Sequence, residues 1–246
     1  MQFIPTMPSR VYDDLIICSS YSDIIFLQTH DVLKNPKHAR QLGSRSLAGN
    51  IGKIILDNSI CELGEAQTAE QIHEAAEISR PMWVIPPDVM RQLDKSVTLW
   101  EAFTPPPNSL ILPVIQGENE TQIEMCIQWW KVHPLNCSDL WGVPKHFGAQ
   151  RVEVIEKVLE RVPEARIHML GITTPHRDRE VFRKYGGVAI HSIDSSKPCA
   201  MKESIDARLQ KNKYDTLPET TEEFWDQGAI SYQMIANISF MRGYFA

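Results

Sequence analysis

LILPVIQGENETQIEMCIQWWKVHPLNCSDLWG, residues 110–142, is the stretch that decides the fold. Residues 110–115 form an apolar run typical of a strand, residues 119–131 have the spacing of an amphipathic helix, and residues 139–142 form a second apolar run. A strand, a crossover helix and a second strand make up a parallel β-α-β unit. The stretch therefore predicts a parallel sheet covered by helices.

The same alternation extends over the chain and predicts an α/β fold, a small (β/α)8 barrel of the TIM type with residues 1–246 as a single domain. A doubly wound open sheet is the alternative, but no G-x-G-x-x-G follows a strand, which disfavours a dinucleotide-binding fold. The first two strands lie too close for a crossover helix, so we expect a hairpin or an irregular N-terminus. The predicted strands are 14–18, 24–28, 53–57, 82–85, 110–115, 139–142, 167–170 and 187–190, and the predicted helices are 68–79, 87–102, 119–131, 150–162, 177–184 and 219–241.

Composition narrows the class of protein. The chain has 246 residues, of which 43% are hydrophobic, and its net charge of -6 argues against a surface broadly coated for nucleic-acid binding, although a local basic rim remains compatible with it. Its five cysteines form no C-x-x-C pair, so we expect neither a disulfide framework nor a structural zinc subdomain. Without a signal-like or bilayer-length apolar run, we expect a cytoplasmic protein with no membrane partner.

Polar residues and glycines follow the predicted strands, at the end where barrels carry their active sites. Any one of them is often only a helix cap, a turn residue or a point of close packing, and Asp88 in particular could cap the helix predicted at 87–102. Their joint occurrence is more informative, because it brings three carboxylates to one rim. The set is Asp57, Asp88, Gln116, Gly117, Gly142, Gly171 and Asp194.

The order and spacing of these segments resemble the queuine/archaeosine tRNA-guanine transglycosylase superfamily, and most of all the short phage-type 7-deazaguanine DNA transglycosylases, the DpdA-like proteins. The resemblance covers about residues 53–198 and is carried by the ordered set rather than by any single motif. The matching segments are LDNSICE, PPDV, PVIQG, LWGVPK, IHMLGI and SIDSSKP.

The resemblance implies an enzyme that exchanges guanine in a nucleic acid for a 7-deazaguanine base through a covalent aspartyl–sugar intermediate. Asp194 matches the nucleophile and Asp57 the general acid/base of the family. The residues matching positions that contact the base are Asp88, Gln116, Gly117, Gly142, Leu170 and Gly171.

The chain departs from the tRNA enzymes at several points. Cys61 stands where their D-S-G-G-F/Y-Q motif has an aromatic residue, and Asp194 is followed by Ser-Ser-Lys-Pro. Their C-terminal zinc motif is absent, which favours DNA over tRNA as the partner, together with a free 7-deazaguanine base; if the chain is phage-encoded, the host cytoplasm is its compartment. Candidate phosphate contacts, each of which could equally be part of a solvated loop, are Lys145, His146, Arg177, Arg179 and Lys197.

Three alternatives stay open at this point: a tRNA-guanine transglycosylase, a hydrolytic N-glycosidase on the same barrel, and a catalytically silent nucleic-acid-binding relative. The Asp57 and Asp194 pair disfavours the silent relative, because a pure binder of an anionic ligand gains nothing from two facing carboxylates. We expect no cofactor and no metal. His168 and His191 are expected to be core or turn histidines, because no third ligand has a suitable spacing.

Overall fold

The computed structural model describes residues 2–9, 11–12, 24–133, 136–172, 175–185, 189–195 and 232–245. Within these residues eight strands alternate with helices along the chain, in the order expected of an α/β fold. The strands are β1 (Gln2–Pro5), β2 (Ile24–Gln28), β3 (Lys53–Asp57), β4 (Trp83–Val84), β5 (Leu110–Ile111), β6 (Leu140–Pro144), β7 (Arg166–Leu170) and β8 (Ile190–Ser195).

The helices cover the outside of the strands. On this side Trp100, Trp129 and Trp130 pack their rings against one another. The described helices are α1 (Thr29–Lys34), α2 (Pro36–Leu47), α3 (Ile60–Leu63), α4 (Ala69–Ser79), α5 (Leu93–Ala102), α6 (Glu120–Val132), α7 (Arg151–Arg161), α8 (Pro175–Tyr185) and α9 (Tyr232–Phe245), with a 3-10 helix at Lys145–Gln150.

All strand pairs are parallel, in two sheets of four strands with the orders β1-β8-β7-β6 and β2-β3-β4-β5. Isolated parallel bridges join the sheets at both edges. Thr6, after β1, pairs with Phe26 of β2, and Val114, after β5, pairs with Gly142 of β6. The second junction is held by hydrogen bonds from Gly142 N–H to the Pro113 carbonyl and from Ile115 N–H to the Gly142 carbonyl.

The strands separate two apolar clusters, because successive strand residues point to opposite faces. In β2, Ile24 and Phe26 belong to an inner cluster, whereas Ile25 and Leu27 pack outward against helices. Both faces of the strands are therefore buried, which explains why the strand sequences are continuously apolar. The inner cluster contains Ile4, Ile24, Phe26, Ile55, Trp83, Ile85, Leu112, Val114 and Leu140.

The N-terminal prediction is wrong in one respect and outside the described residues in another. The chain's first strand is Gln2–Pro5, which pairs with β8 and was not among the predicted strands. The strand predicted at 14–18 lies outside the described residues. Between β2 and β3, the helices α1 and α2 were also not predicted.

Several predicted boundaries require correction. The helix predicted at 87–102 begins only at Leu93, and Gln92 occupies its N-cap position. Asp88 lies four residues earlier and therefore does not cap this helix. The last strand spans Ile190–Ser195 rather than 187–190, so Asp194 lies within the strand. The predicted C-terminal helix extends to Phe245 from Tyr232, and its predicted portion 219–231 lies outside the described residues.

Helix α4 begins with a capping box at Thr68. The Thr68 side chain accepts from Gln71 N–H while the Gln71 side chain accepts from Thr68 N–H, a reciprocal capping box. No helix within the described part of the chain combines the length and the apolar character needed to cross a membrane.

Candidate active site

A pocket opens at the carboxyl ends of the strands, and each of the eight strands or the residues directly after it contributes to the wall. This is the end at which parallel barrels place their chemistry. Three of the predicted carboxylates, Asp57, Asp88 and Asp194, line this one pocket. The other lining residues are Thr6, Phe26, Gln28, Asn58, Ile60, Cys61, Glu62, Ile85, Met90, Val114, Gln116, Pro144, Lys145, His146, Leu170, Gly171, Ile172 and Ser195.

Asp194 is a buried carboxylate surrounded by hydrogen-bond donors. Its Oδ2 accepts from the Thr6 hydroxyl at 2.9 Å, and its Oδ1 accepts from Gly171 N–H at 2.9 Å. The Nε2 of His168 lies 3.2 Å from Oδ1. Burial opposes ionisation of Asp194, but His168, the Gly171 N–H and the Thr6 hydroxyl together hold its pKa below the ordinary value. Asp194 is therefore ionised at neutral pH.

His168 is the first of two site residues that sequence reasoning missed. It is fully buried on β7, its ring stacks on Phe26 at a centroid distance of 5.5 Å, and its Nδ1 lies 2.8 Å from the Ser192 hydroxyl on β8. The expectation of a buried core histidine holds, but the ring also contacts the candidate nucleophile. The signal was available, because His168 is two residues from Leu170 and so shares its face of the strand.

Asp57, the last residue of β3, has a raised pKa, in contrast to the lowered pKa of Asp194. Its pKa is raised to about 7, chiefly by burial and also by the charges of Asp194 and Asp88. A hydrogen bond from Ser59 N–H to Oδ2 at 3.0 Å and one from the Gln28 side chain oppose the rise. Ser59 has a φ of 66°, in the left-handed region, and this turn directs its N–H back at the carboxylate. Asp57 can therefore gain or lose a proton near neutral pH.

Asp88 follows two prolines, which cannot donate to the sheet and so end β4 at the rim of the pocket. Its Oδ1 accepts from the Asn58 amide at 2.8 Å and its Oδ2 accepts from the Gln116 amide at 2.5 Å. Burial raises the pKa of Asp88 to about 6, and the two amides oppose that rise. The Gln116 amide is oriented from its other side, because its Oε1 accepts from Arg91 N–H at 2.9 Å.

Glu62 is the second residue that sequence reasoning missed. It lies on the single turn α3, between Ser59 and Gly64, both in the left-handed region, and it lines the same pocket. Its pKa is raised to about 8, chiefly by burial and then by the nearby charges of Asp57 and Asp194, whereas the charge of Lys145 opposes the rise. Cys61, the residue before Glu62, stands where the family motif has an aromatic residue; it also lines the pocket and is exposed.

The predicted glycine positions separate into two groups. Leu170 and Gly171 line the pocket, and Gly171 has a further role in donating its N–H to Asp194. Gly117 and Gly142 are not among the described residues that line it. Gly142 is needed for packing instead, since a Cβ there would come within 2.8 Å of the Leu170 side chain. Its N–H donates to the Pro113 carbonyl and its carbonyl accepts from Ile115 N–H, and the base contact that the resemblance implies at this position stays a prediction.

The candidate phosphate contacts also separate. Lys145 and His146 line the pocket, but burial and the charges of Arg91 and Arg151 lower the pKa of His146 to about 4, so this imidazole is neutral at physiological pH. Arg177 is exposed on α8.

The other two candidates give no support for a phosphate role. Arg179 packs its guanidinium 4.5 Å from the centre of the Tyr244 ring on α9, a cation–π contact that accounts for its position. Lys197 lies outside the described residues.

Within the described ranges, no three histidine, cysteine or acidic side chains converge in a way that could hold a metal ion. The pocket carboxylates are instead contacted by amide, hydroxyl, imidazole and backbone N–H groups.

Comparison with known proteins places the fold and leaves the activity open. No family model matches the sequence, and no curated protein matches it. N-acetylneuraminate lyase from Mycoplasma synoviae superposes with a TM-score of 0.51 at 13% identity, covering 87% of this chain and 77% of that one.

Two further solved structures are similar at lower scores. Phosphoribosyl anthranilate isomerase from Thermococcus kodakaraensis has a TM-score of 0.47 at 14% identity over 80% of this chain and 90% of its own. KGPDC from Streptococcus mutans has a TM-score of 0.45 at 12% identity over 91% and 98%. At these identities the likeness concerns the fold alone: this chain has a parallel α/β fold similar to that of TIM-barrel enzymes.

Proposed function

We propose that the chain is a single closed (β/α)8 barrel and a base-exchange transglycosylase, which replaces guanine in a nucleic acid with a 7-deazaguanine base. The bridges at both sheet junctions and the inner cluster, to which both sheets contribute, support closure. The observation that carries the activity is the contrast within one pocket: Asp194 is held ionised, whereas Asp57 has a pKa of about 7.

That contrast fits a double displacement. Asp194 attacks the anomeric carbon; the C1′–N bond breaks with its electron pair passing to the base, and a proton from an acidic side chain reaches the leaving base. The incoming base then loses a proton to the same acid, its nitrogen attacks C1′, and the sugar–carboxylate bond breaks to restore Asp194. Two carboxyl groups with separated pKa values are the usual requirement for these two roles.

Base recognition is assigned to Asp88 and Gln116. A guanine-type base presents a ring N–H beside an exocyclic amine, and a carboxylate can accept from both. Each Asp88 oxygen already accepts one hydrogen bond and keeps a second lone pair for a ligand. An adenine-type base would leave this buried carboxylate without those donors and be rejected.

DNA remains our preferred acceptor, with tRNA as the alternative, and in duplex DNA the target base must first be flipped out. A hydrolytic N-glycosidase is the second candidate, because the same two carboxyl roles serve hydrolysis when water replaces the incoming base. Exchange and hydrolysis differ only in what accepts the sugar from Asp194.

The decisive experiment incubates the protein with duplex DNA, single-stranded DNA or tRNA and an isotopically labelled 7-deazaguanine base, followed by nucleoside mass analysis. Labelled nucleoside in one acceptor supports exchange and identifies the acceptor. Free guanine released without incorporation would support the N-glycosidase, and no change in any acceptor contradicts both.

A further inference from the structure

The side chain of Glu62 presents a buried polar atom that nothing in the described part of the protein satisfies. Its Oε2 is inaccessible to solvent and has no hydrogen-bond partner there. A buried polar group without a partner is costly, and such groups in a pocket are commonly completed by a ligand. The neighbouring carboxylates differ, because Asp57, Asp88 and Asp194 each accept hydrogen bonds from protein groups.

The groups that face Glu62 decide its protonation state. Asp57 at the end of β3 and Asp194 on β8 carry or can carry negative charge, while Lys145 after β6 supplies a partly compensating positive charge. Four carboxyl groups in one buried pocket cannot all be ionised, because like charges at short range disfavour one another. Among them Glu62 has the fewest donors to stabilise an anion and the highest pKa, about 8. It therefore carries a proton at neutral pH.

We propose that Glu62 is the proton donor of the reaction, with its O–H directed into the pocket at the leaving base and Asp57 acting as its ionisable neighbour. This inference rests on the proposed function and departs from the assignment of the acid role to Asp57 alone. On departure of the base, the Glu62 O–H proton moves to a ring nitrogen as the C1′–N electron pair reaches the base, leaving Glu62 as a carboxylate. In the second half, that carboxylate removes the N–H proton of the incoming base.

The first arm of the test reads protonation without activity. Infrared spectra of the wild type minus Glu62→Gln at pH 7 should contain the carbonyl stretch of a protonated carboxylic acid. The matched control is Glu65→Gln, three residues along the chain at an exposed position, whose difference spectrum should contain only an ionised carboxylate. A missing protonated band for Glu62 overturns the proposal.

The second arm reads proton delivery. Single-turnover formation of the covalent adduct is followed with an oligonucleotide carrying either guanine or 7-methylguanine, whose fixed positive charge lets it leave without a proton. Glu62→Gln should slow adduct formation from guanine on the order of 100- to 10,000-fold and leave that from 7-methylguanine nearly unchanged, with Glu65→Gln normal on both. The alkaline decline of the wild-type rate should also disappear in the variant.

The possible outcomes distinguish a failure of the role of Glu62 from a failure of the proposed base exchange. Equal rates for Glu62→Gln and wild type on guanine, or equal slowing on both substrates, overturn the role of Glu62 and leave base exchange standing. A folded wild type that forms no adduct with DNA or tRNA overturns the proposed function, and the assignment of Glu62 as its proton donor falls with it.

Discussion

The two halves of the pocket treat the same functional group in opposite ways. The half built on β1, β6, β7 and β8 holds Asp194 ionised, with its pKa below the ordinary value. The half built on β2 to β5, with α3 after β3, holds Asp57, Asp88 and Glu62, all with raised pKa values. The two sheets thus differ in their carboxyl groups: one holds a carboxylate with a lowered pKa, and the other holds three carboxyl groups with raised pKa values.

Burial does not cause this difference, since Asp57 and Asp194 are 8% and 7% exposed. The neighbouring groups cause it. Asp194 is contacted by a hydroxyl, a backbone N–H and an imidazole, whereas Asp57 has hydrogen bonds from the Ser59 N–H and the Gln28 side chain and faces the negative charges of Asp194 and Asp88. With similar desolvation, unequal hydrogen bonding and like-charge repulsion shift the two pKa values in opposite directions.

The largest effect is expected from a substitution of Asp194, in the half of the pocket built on β1, β6, β7 and β8. Asp194→Asn should abolish covalent adduct and base exchange completely, because an amide cannot attack the anomeric carbon, while free-base binding persists through Asp88 and Gln116. Adduct is measured on denaturing gels with the incoming base withheld. Asp139→Asn, at an exposed aspartate paired with Arg166, is the matched control and should behave as wild type. Adduct mapped to Asp57 instead would reverse the two roles.

The substitution Asp88→Asn tests whether the half of the pocket built on β2 to β5 also recognises the base. The amide keeps one acceptor but turns a donor toward Asn58 or Gln116, so we expect preference for guanine over adenine to fall on the order of 100-fold. The same mismatch should lower the free energy of unfolding by about 1–3 kcal/mol. Competition between the two bases and urea unfolding measure these quantities. Unchanged base preference in a folded variant removes Asp88 from recognition.

The substitution His168→Phe removes one of the contacts of Asp194 and keeps the Asp194 carboxylate itself. The phenyl ring can keep the stack on Phe26, but the contact of Nε2 with Asp194 is lost, so the Asp194 pKa should rise. We expect roughly tenfold slower adduct formation at pH 7 and an acidic limb of the pH–rate profile shifted to higher pH. Ser192→Ala removes the hydroxyl contacts to Nδ1 of His168 and of His191 but leaves the Nε2 contact with Asp194, so it should give a smaller shift in the same direction. A uniform rate loss with an unmoved limb would indicate a structural role.

How well the sequence predicts each strand depends on whether the strand is defined by its own residues or by pairing with residues distant in the chain. Strands β2 and β3 were predicted at their observed bounds because continuous apolar runs report burial on both faces. The strand β1 was missed because QFIP is too short to have a periodicity, and it is a strand only through its pairing with β8. The last strand was placed too early because the polar residues of HSIDS conceal a ladder formed with β1 and β7.

The candidate site divides in the same way. The sequence predicted that Asp57, Asp88, Gln116 and Asp194 come together, since residues at the carboxyl ends of parallel strands share one rim. Only the resemblance indicated an ionised Asp194, as the nucleophile. The physical cause of its lowered pKa could not be predicted, because it lies in contacts with Thr6, His168 and Gly171, which are distant from Asp194 in sequence. The roles assigned to the four residues remain predictions.

Asp57→Asn sharpens the comparison through stability. Because the folded-state pKa of about 7 lies above the ordinary 3.8, the folded state holds the Asp57 proton more tightly than the unfolded chain does, and this contribution to stability is lost as pH rises from about 4 to about 7. The free energy of unfolding of the variant should therefore gain about 2–3 kcal/mol relative to that of wild type when the pH rises from about 5 to about 8. Urea unfolding of the variant and of the wild type at both pH values measures how their difference in the free energy of unfolding changes with pH. A difference that is constant with pH would show that Asp57 is ionised throughout.

The smallest expected effect is that of chelators. In the described part of the pocket, the charge of Asp194 is met by a hydroxyl, a backbone N–H and an imidazole, Asp88 is met by two amides, and the other carboxyl groups hold protons near neutral pH. A divalent cation would have to displace these donors and protons, because metal ligands bind in their deprotonated form. EDTA should therefore leave the rate of exchange unchanged, and added Mg²⁺ or Mn²⁺ should not raise it. Elemental analysis of the purified protein checks the same point independently: a stoichiometric metal whose removal stops exchange would mean that a cation, and not the two sets of donors and protons, balances the charge of the pocket.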